Sequence, residues 1–191
     1  KVDYKDGDKW SDIDFDFMKL KELFNSWQTE MDNGGGWNAL FWCNHDQPRA
    51  VSRFGNDKEF HRESATMLAT AIHMMKGTPY IYQGEEIGMT NAYFESIDKY
   101  RDVESLNYYD ILTTEKPQNE VFGVLQKKSR DNSRTPMQWD NSENAGFSVG
   151  TPWLGVCKKY KDINAEREKK KKNSIFYHYK NLIALRKEYE I

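Results

Sequence analysis

Apolar residues recur at three- and four-residue steps at Phe17, Leu20, Phe24, Trp27 and Met31, the spacing of one helical face. Asp14 or Asp16 can cap the start of that helix, and Gly34-Gly35-Gly36 stops it. The short, mostly apolar stretch from Trp37 to Cys43 predicts a buried strand. A polar loop is expected from Asn44 to Asp57. A second helix is expected from about Glu59 to Lys76, with Leu68, Ala71, Ile72 and Met75 on its buried face and Gly77 at its end. Thr78-Pro-Tyr-Ile-Tyr-Gln83 reads as a second short strand, its proline near the start, where a missing N–H is tolerated.

Beyond Gly88 the periodicity fades. The stretch to about Asn164 is rich in Asn, Asp, Ser and Gly and too long for an ordinary connection. It reads as an excursion with short helices over Tyr100–Leu112 and Glu120–Lys128. A final helix is expected over Ser174–Tyr189, with Phe176, Tyr179, Leu182 and Ile183 facing inward. Lysines 169–172 read as a solvated helix face. Alternation of helix and strand argues for a parallel α/β sheet. Only two strands are visible, so the chain cannot close an eight-stranded barrel alone.

Composition adds limits rather than a function. At 191 residues the chain can bury a sizeable core. Its formal net charge of −2 gives no general electrostatic case for nucleic acid or an anionic membrane. No apolar run approaches the roughly 20 residues of a membrane span, and the N-terminal residues are too polar for a signal peptide. The chain opens on Lys1 rather than Met, which suggests a processed product or a piece of a longer protein. The two cysteines, Cys43 and Cys157, do not make a disulfide framework, so a reducing, cytoplasmic setting is expected. Aromatic residues reach 14%, with six Trp; rings of this kind can floor a sugar cleft, but most are expected in the core.

Chemistry gathers at the two strand ends. Asn44, His45 and Asp46 set an amide, an imidazole and a carboxylate side by side where the first apolar strand stops. The second strand runs into Gly84-Glu85-Glu86. C-terminal strand ends are where α/β barrels keep their active sites. Paired carboxylates such as Glu85 and Glu86 invite an acid/base assignment.

Asn44-His-Asp46 after an apolar strand resembles a signature region of glycoside hydrolase family 13, the α-amylase superfamily. The likeness continues through Gln47-Pro-Arg49, Ser52-Arg-Phe-Gly55, the run from Gly77 to Thr90, and Arg130-Asp-Asn-Ser-Arg-Thr-Pro-Met-Gln-Trp139. These stretches are similar to the branch that holds oligo-1,6-glucosidases and trehalose-6-phosphate hydrolases. Gly34–Cys43 and the opening Lys1-Val-Asp-Tyr4 lean toward the latter.

The resemblance implies the last two strands of a (β/α)8 barrel with their helices and a long irregular excursion, residues 1–191 being the C-terminal part of the catalytic barrel. Barrel strands one to six and a C-terminal β-domain would lie outside the chain, and with them the nucleophile and the acid/base. Retaining glycosidases need two such carboxyl groups about 5 Å apart. By resemblance Asp46 is a third carboxylate that binds sugar hydroxyls and stabilises a cationic transition state. His45 would donate to the same ring, and Arg130 would reach over the glucose subsite. Arg134 is left open between a site role and a loop contact. Arg49 and Arg53 are expected to brace the loop, and Glu85 and Glu86 become rim or structural groups.

For a sugar-phosphate substrate, Lys1 and Lys9 are the candidate phosphate contacts. No cofactor and no metal is implied. The chain alone is expected to be inactive and to associate with itself or with the missing barrel half. A family-13-like binding or partner subunit without activity is the alternative from another class.

Overall fold

The computed structural model describes residues 2–189, so Lys1 lies outside the described residues. Helix α1 spans Phe17–Asn33 and strand β1 Ala39–Leu40. Helix α2 (Ala50–Phe54), helix α3 (His61–His73) and strand β2 (Thr78–Pro79) follow. The excursion then forms α4 (Val103–Leu112), α5 (Gln118–Lys128) and the short α6 (Asp131–Arg134). Helices α7 (Ala165–Lys170) and α8 (Ile175–Tyr189) complete the described order.

Helix α1 starts where a carboxylate supplies the missing acceptor: Asp16 Oδ1 takes the N–H groups of Met18 (2.9 Å) and Lys19 (3.1 Å). It stops at Gly34, as the glycine run implies. The expected apolar face is only partly covered. Leu20 is buried, whereas Phe17 and Trp27 are more than half exposed. The final helix behaves similarly, with Ile175, Tyr179 and Leu182 buried and Ile183 exposed.

The two strands pair in parallel, Ala39 opposite Thr78 and Leu40 opposite Pro79. The N–H groups of Thr78 and Tyr80 donate to Asn38 O and Leu40 O, both at 2.7 Å. Pro79 sits between these donors, where its own N–H would point away from β1, so the proline costs the ladder nothing. Both strands are shorter than the apolar runs that announce them, because pairing defines a strand and each has one neighbour among the described residues. Gly77 takes φ +144° at the entry to β2, and a Cβ there would lie 2.6 Å from Asn38 O. Only glycine lets the two backbones approach so closely.

One expectation fails inside the segment 44–57. It is not all loop, because Ala50, Val51 and Phe54 form the buried side of α2. Phe54 joins Leu40, Trp42, Leu20, Leu68 and Ile72 in the cluster that packs α1, α2 and α3 against β1. Burial of Leu68 and Ile72 stabilises this packing by roughly 1.5–3 kcal/mol each. The Trp42 indole donates to Leu68 O at 2.7 Å, so the ring's one polar group is satisfied inside the cluster. A second cluster joins α3 to α8 through Ala65, Ala69, Ile175 and Tyr179.

The excursion has a core of its own, in which Tyr100, Tyr109, Val121 and Leu125 pack around Phe94 and Trp10. Its link to the strand ends is polar. Asp131, Asn132 and Ser133 are all fully buried. Asn132 accepts the Ala92 N–H at 3.0 Å and donates to Gln126 O at 3.0 Å. Asp131 Oδ2 accepts from the N–H groups of Arg101 (2.6 Å) and Asp102 (2.9 Å). A segment held by side chain-to-backbone bonds carries no apolar period, which is why the sequence pattern fades here. The expectation that most Trp are core also fails: Trp27, Trp37, Trp139 and Trp153 are more than half exposed, while Trp10 and Trp42 are buried.

Candidate active site

The chain leaves β1 through Phe41, Trp42 and Cys43 and turns at Asn44. The Asn44 Oδ1 accepts the Asp46 N–H at 2.8 Å, a side-chain turn that fixes where the Asp46 backbone points. The Asp46 carboxylate is left 46% exposed. Its Oδ1 accepts from Arg134 Nη2 at 2.8 Å and lies 3.5 Å from Arg130 Nη1. Its Oδ2 lies 3.4 Å from His45 Nε2, and the His45 ring is largely exposed. Asp46, His45 and Arg130, singled out in the sequence, therefore meet at the end of β1.

Arg134 belongs with them. Besides its bond to Asp46, its Nε donates to the His45 backbone carbonyl at 2.9 Å. Both arginines arrive on the buried 129–135 segment, which positions them across the strand end. That segment is in turn held by Arg49. Only 1% exposed, Arg49 donates to Asn132 O (3.1 Å), Gln83 O (2.5 Å) and Ser133 O (3.3 Å). Arg53 pairs with Asp3 (2.7 Å) and donates to Gln47 Oε1 (2.6 Å), so both arginines brace the loop as expected.

Two acidic residues complete the cluster, and the sequence did not mark either. Asp102, with a side chain 1% exposed, accepts from Arg130 Nη2 (2.6 Å) and Nε (3.0 Å) and lies 3.4 Å from Arg134 Nη1. Burial opposes ionisation of Asp102, yet hydrogen bonds from Arg130 and Ser105 outweigh it and hold the carboxyl below its ordinary value. The same hydrogen bond to Asp102 raises the Arg130 guanidinium above its usual range. Glu104 Oε2 lies 3.2 Å from Arg130 Nε and accepts from Lys9 Nζ at 2.5 Å. In sequence, Arg101-Asp-Val-Glu104 reads only as a helix start, and Asp102 does cap α4. Nothing in a local pattern announces its second task.

Lys9 thus reaches the edge of the cluster but is already paired with Glu104. Its Nζ also lies 4.9 Å from the Trp10 ring centre, and Trp10 stacks on Tyr108. With Lys9, Arg130 and Arg134 against Asp46, Asp102 and Glu104, the formal charges of these six groups cancel.

Glu85 and Glu86 take no part in this cluster. Glu86 Oε2 accepts the Gly84 N–H at 2.7 Å. Glu85 is buried, and among the described residues neither of its carboxylate oxygens meets a hydrogen-bond partner. Burial pushes its carboxyl up to about 8. Among the described residues, no group of three or more His, Cys, Asp and Glu side chains is placed to hold a metal ion. Nor is any helix long and apolar enough to cross a membrane. Both cysteines are buried free thiols.

The arrangement is an acceptor with neighbouring donors, half open to solvent, on the C-terminal side of a parallel strand. The sequence matches the alpha-amylase catalytic domain over residues 1–191. It is 60% identical to the trehalose-6-phosphate hydrolase of Bacillus subtilis strain 168, over 100% of this chain and 34% of that protein. An oligo-1,6-glucosidase of Bacillus cereus is 54% identical, over 100% of this chain and 34% of that protein. The crystal structure of Bacillus licheniformis trehalose-6-phosphate hydrolase superposes with a TM-score of 0.96 at 63% identity, covering 98% of this chain and 34% of that one. The chain therefore spans about a third of the length of these relatives, and its parallel strands and flanking helices are part of a (β/α)8 barrel. On a family match that runs its whole length and strand-end residues that converge as the motif implies, the chain belongs to the alpha-amylase family.

Proposed function

We propose that this chain supplies the last two strands of the catalytic barrel of a retaining α-glucosidase that cleaves trehalose 6-phosphate to glucose and glucose 6-phosphate. The observation that carries the reading is the division of labour on Asp46. One oxygen is held by arginines, and the other lies 3.4 Å from the exposed ring of His45. A carboxylate fixed in this way can bind sugar hydroxyls and stabilise positive charge developing at the anomeric carbon without itself forming a bond. Nucleophile and acid/base then come from the part of the barrel outside residues 1–191. His45 and Arg130 bind the same glucose unit.

The phosphorylated substrate is favoured by the two trehalose-6-phosphate hydrolases at 60% and 63% identity. Lys9 and Lys1 are the phosphate contacts in this reading, with Lys9 leaving part of its bond to Glu104 as the dianion arrives. A charged sugar phosphate does not diffuse across a bilayer, which supports a cytoplasmic setting for the reaction. The second reading is an oligo-1,6-glucosidase, favoured by the 54% identity to the Bacillus cereus enzyme.

The test uses the complete enzyme on trehalose 6-phosphate and on isomaltose. Preference for the phosphorylated sugar is expected, and Asp46→Asn is expected to lower kcat about 10²- to 10³-fold. Lys9→Ala should raise KM for trehalose 6-phosphate while leaving an unphosphorylated glucoside almost untouched. An unchanged KM would remove Lys9 from the phosphate site. Better turnover of isomaltose would favour the second reading.

A further inference from the structure

Asp102 is the most buried charge in the cluster, and its two oxygens have separate partners. Oδ2 caps α4, accepting from the Ser105 N–H (3.2 Å) and the Ser105 hydroxyl (2.7 Å). Oδ1 faces the site and takes Arg130 through two nitrogens and Arg134 through one. Both guanidinium groups make their nearest approach to Asp46 at its Oδ1, Arg134 by a hydrogen bond of 2.8 Å and Arg130 at 3.5 Å. Guanidinium groups carry five donors each and pair readily with both oxygens of an exposed carboxylate. Here a second acceptor behind them draws those donors away.

We propose that Asp102 is a positioning residue of the glycosidase reaction, whose Oδ1 draws Arg130 and Arg134 toward itself and away from Asp46 Oδ2 and so keeps that oxygen for the sugar. This rests on the reading of Asp46 given above. Two consequences follow from the charges. With Asp102 neutral, the arginines are free to close on Asp46 Oδ2 and compete with substrate hydroxyls. The balanced cluster would also gain one net positive charge beside the place where the sugar becomes cationic, and a preorganised site is most sensitive to charge of that sign.

Asp102→Asn separates positioning from folding, because asparagine caps a helix about as well as aspartate while losing the charge. In the complete enzyme kcat is expected to fall about 10- to 100-fold, the cost of a small misplacement of reacting groups. Affinity for a sugar analogue protonated on its ring nitrogen should fall at least about tenfold more than affinity for neutral glucose, because the analogue senses the added charge. Ser105→Ala perturbs the cap and leaves the carboxylate, and its kinetics should stay near those of the parent. Should Asp102→Asn fail to fold, Asp102→Ser keeps a capping oxygen, lacks the arm that reaches the arginines, and carries the same expectation.

A parent-like kcat in the folded variant would overturn the proposal. So would an equal loss of affinity for the cationic and the neutral ligand, the mark of a merely structural role. Asp46→Asn measured alongside keeps the failures apart. An active Asp46→Asn refutes the reading of Asp46, whereas an inactive Asp46→Asn with a parent-like Asp102→Asn refutes the role of Asp102 alone.

Discussion

Replacing Arg49 by methionine keeps an unbranched side chain, though a shorter one, and removes every guanidinium donor. Three backbone carbonyls, on Gln83, Asn132 and Ser133, then lose a charged donor, although Ser133 O keeps the Tyr82 hydroxyl (3.0 Å) and Asn132 O keeps the Thr135 hydroxyl (3.4 Å). A hydrogen bond from a charged donor contributes about 1.5–3 kcal/mol, so the gross loss of three is roughly 4.5–9 kcal/mol. Against it stands the relief of a buried charge: Arg49 is fully enclosed, and burial lowers its pKa. That penalty amounts to a few kcal/mol after relaxation. A net destabilisation of about 2–5 kcal/mol remains. At roughly 1 °C per kcal/mol for a complete enzyme of the relatives' length, of which this chain spans 34%, the unfolding midpoint should fall by about 2–5 °C.

The loss should also be local. Carbonyls 132 and 133 lie in the segment that carries Arg130 and Arg134, so amide protection over residues 130–135 should drop before that of α3, and kcat should drop with it. Thermal unfolding followed by hydrogen exchange in the complete enzyme reads both effects. A midpoint within about 1 °C of the parent, with unchanged protection at 130–135, would refute the reasoning.

Glu85 gives stability a pH dependence. Its carboxyl is raised from 4.5 to about 8, so the folded state favours the protonated form. That contribution is complete below the unfolded pKa near 4.5 and is lost as pH rises through about 8. Its upper bound is about 5 kcal/mol. Glu85→Gln should therefore gain stability relative to the parent between pH 5 and pH 9, and a urea-midpoint gap constant across that range would rule this out. A further expectation concerns residues 1–191 in isolation. Exposed Leu23, Trp27 and Phe41 border a groove of about 450 Å³ beside β1, and Ile81, Phe176 and Ile183 border one of about 470 Å³ beside α8. A chain with such faces and unpaired strand edges should self-associate or bind the remainder of the barrel, and should not hydrolyse a glycoside. A stable monomer by sedimentation, or turnover by the pure chain, would contradict it.

The sequence by itself determined the elements whose code is local. Asp16 and Gly34 bound α1, and Leu68 and Ile72 mark the buried side of α3. The motif from Asn44 to Arg49 marked the strand end as the place for chemistry. It also singled out Asp46, His45 and Arg130, which the fold does bring together. Helix α2 escaped because five residues are too few to show a period. Segment 129–135 escaped because its burial rests on polar side chains bonded to backbone, which reads as loop in any hydropathy pattern.

What only the tertiary structure decided is which partner each charge takes. Arg134 reaches Asp46 across 88 residues, and Arg130 reaches Asp102 across 28. Such pairs obey no spacing rule, since an ion pair depends on a few ångströms in space and on burial that lowers the local dielectric. The chain order supplied the charges one by one. Folding around two short parallel strands set two arginines between two carboxylates, Asp102 buried and Asp46 half open to solvent.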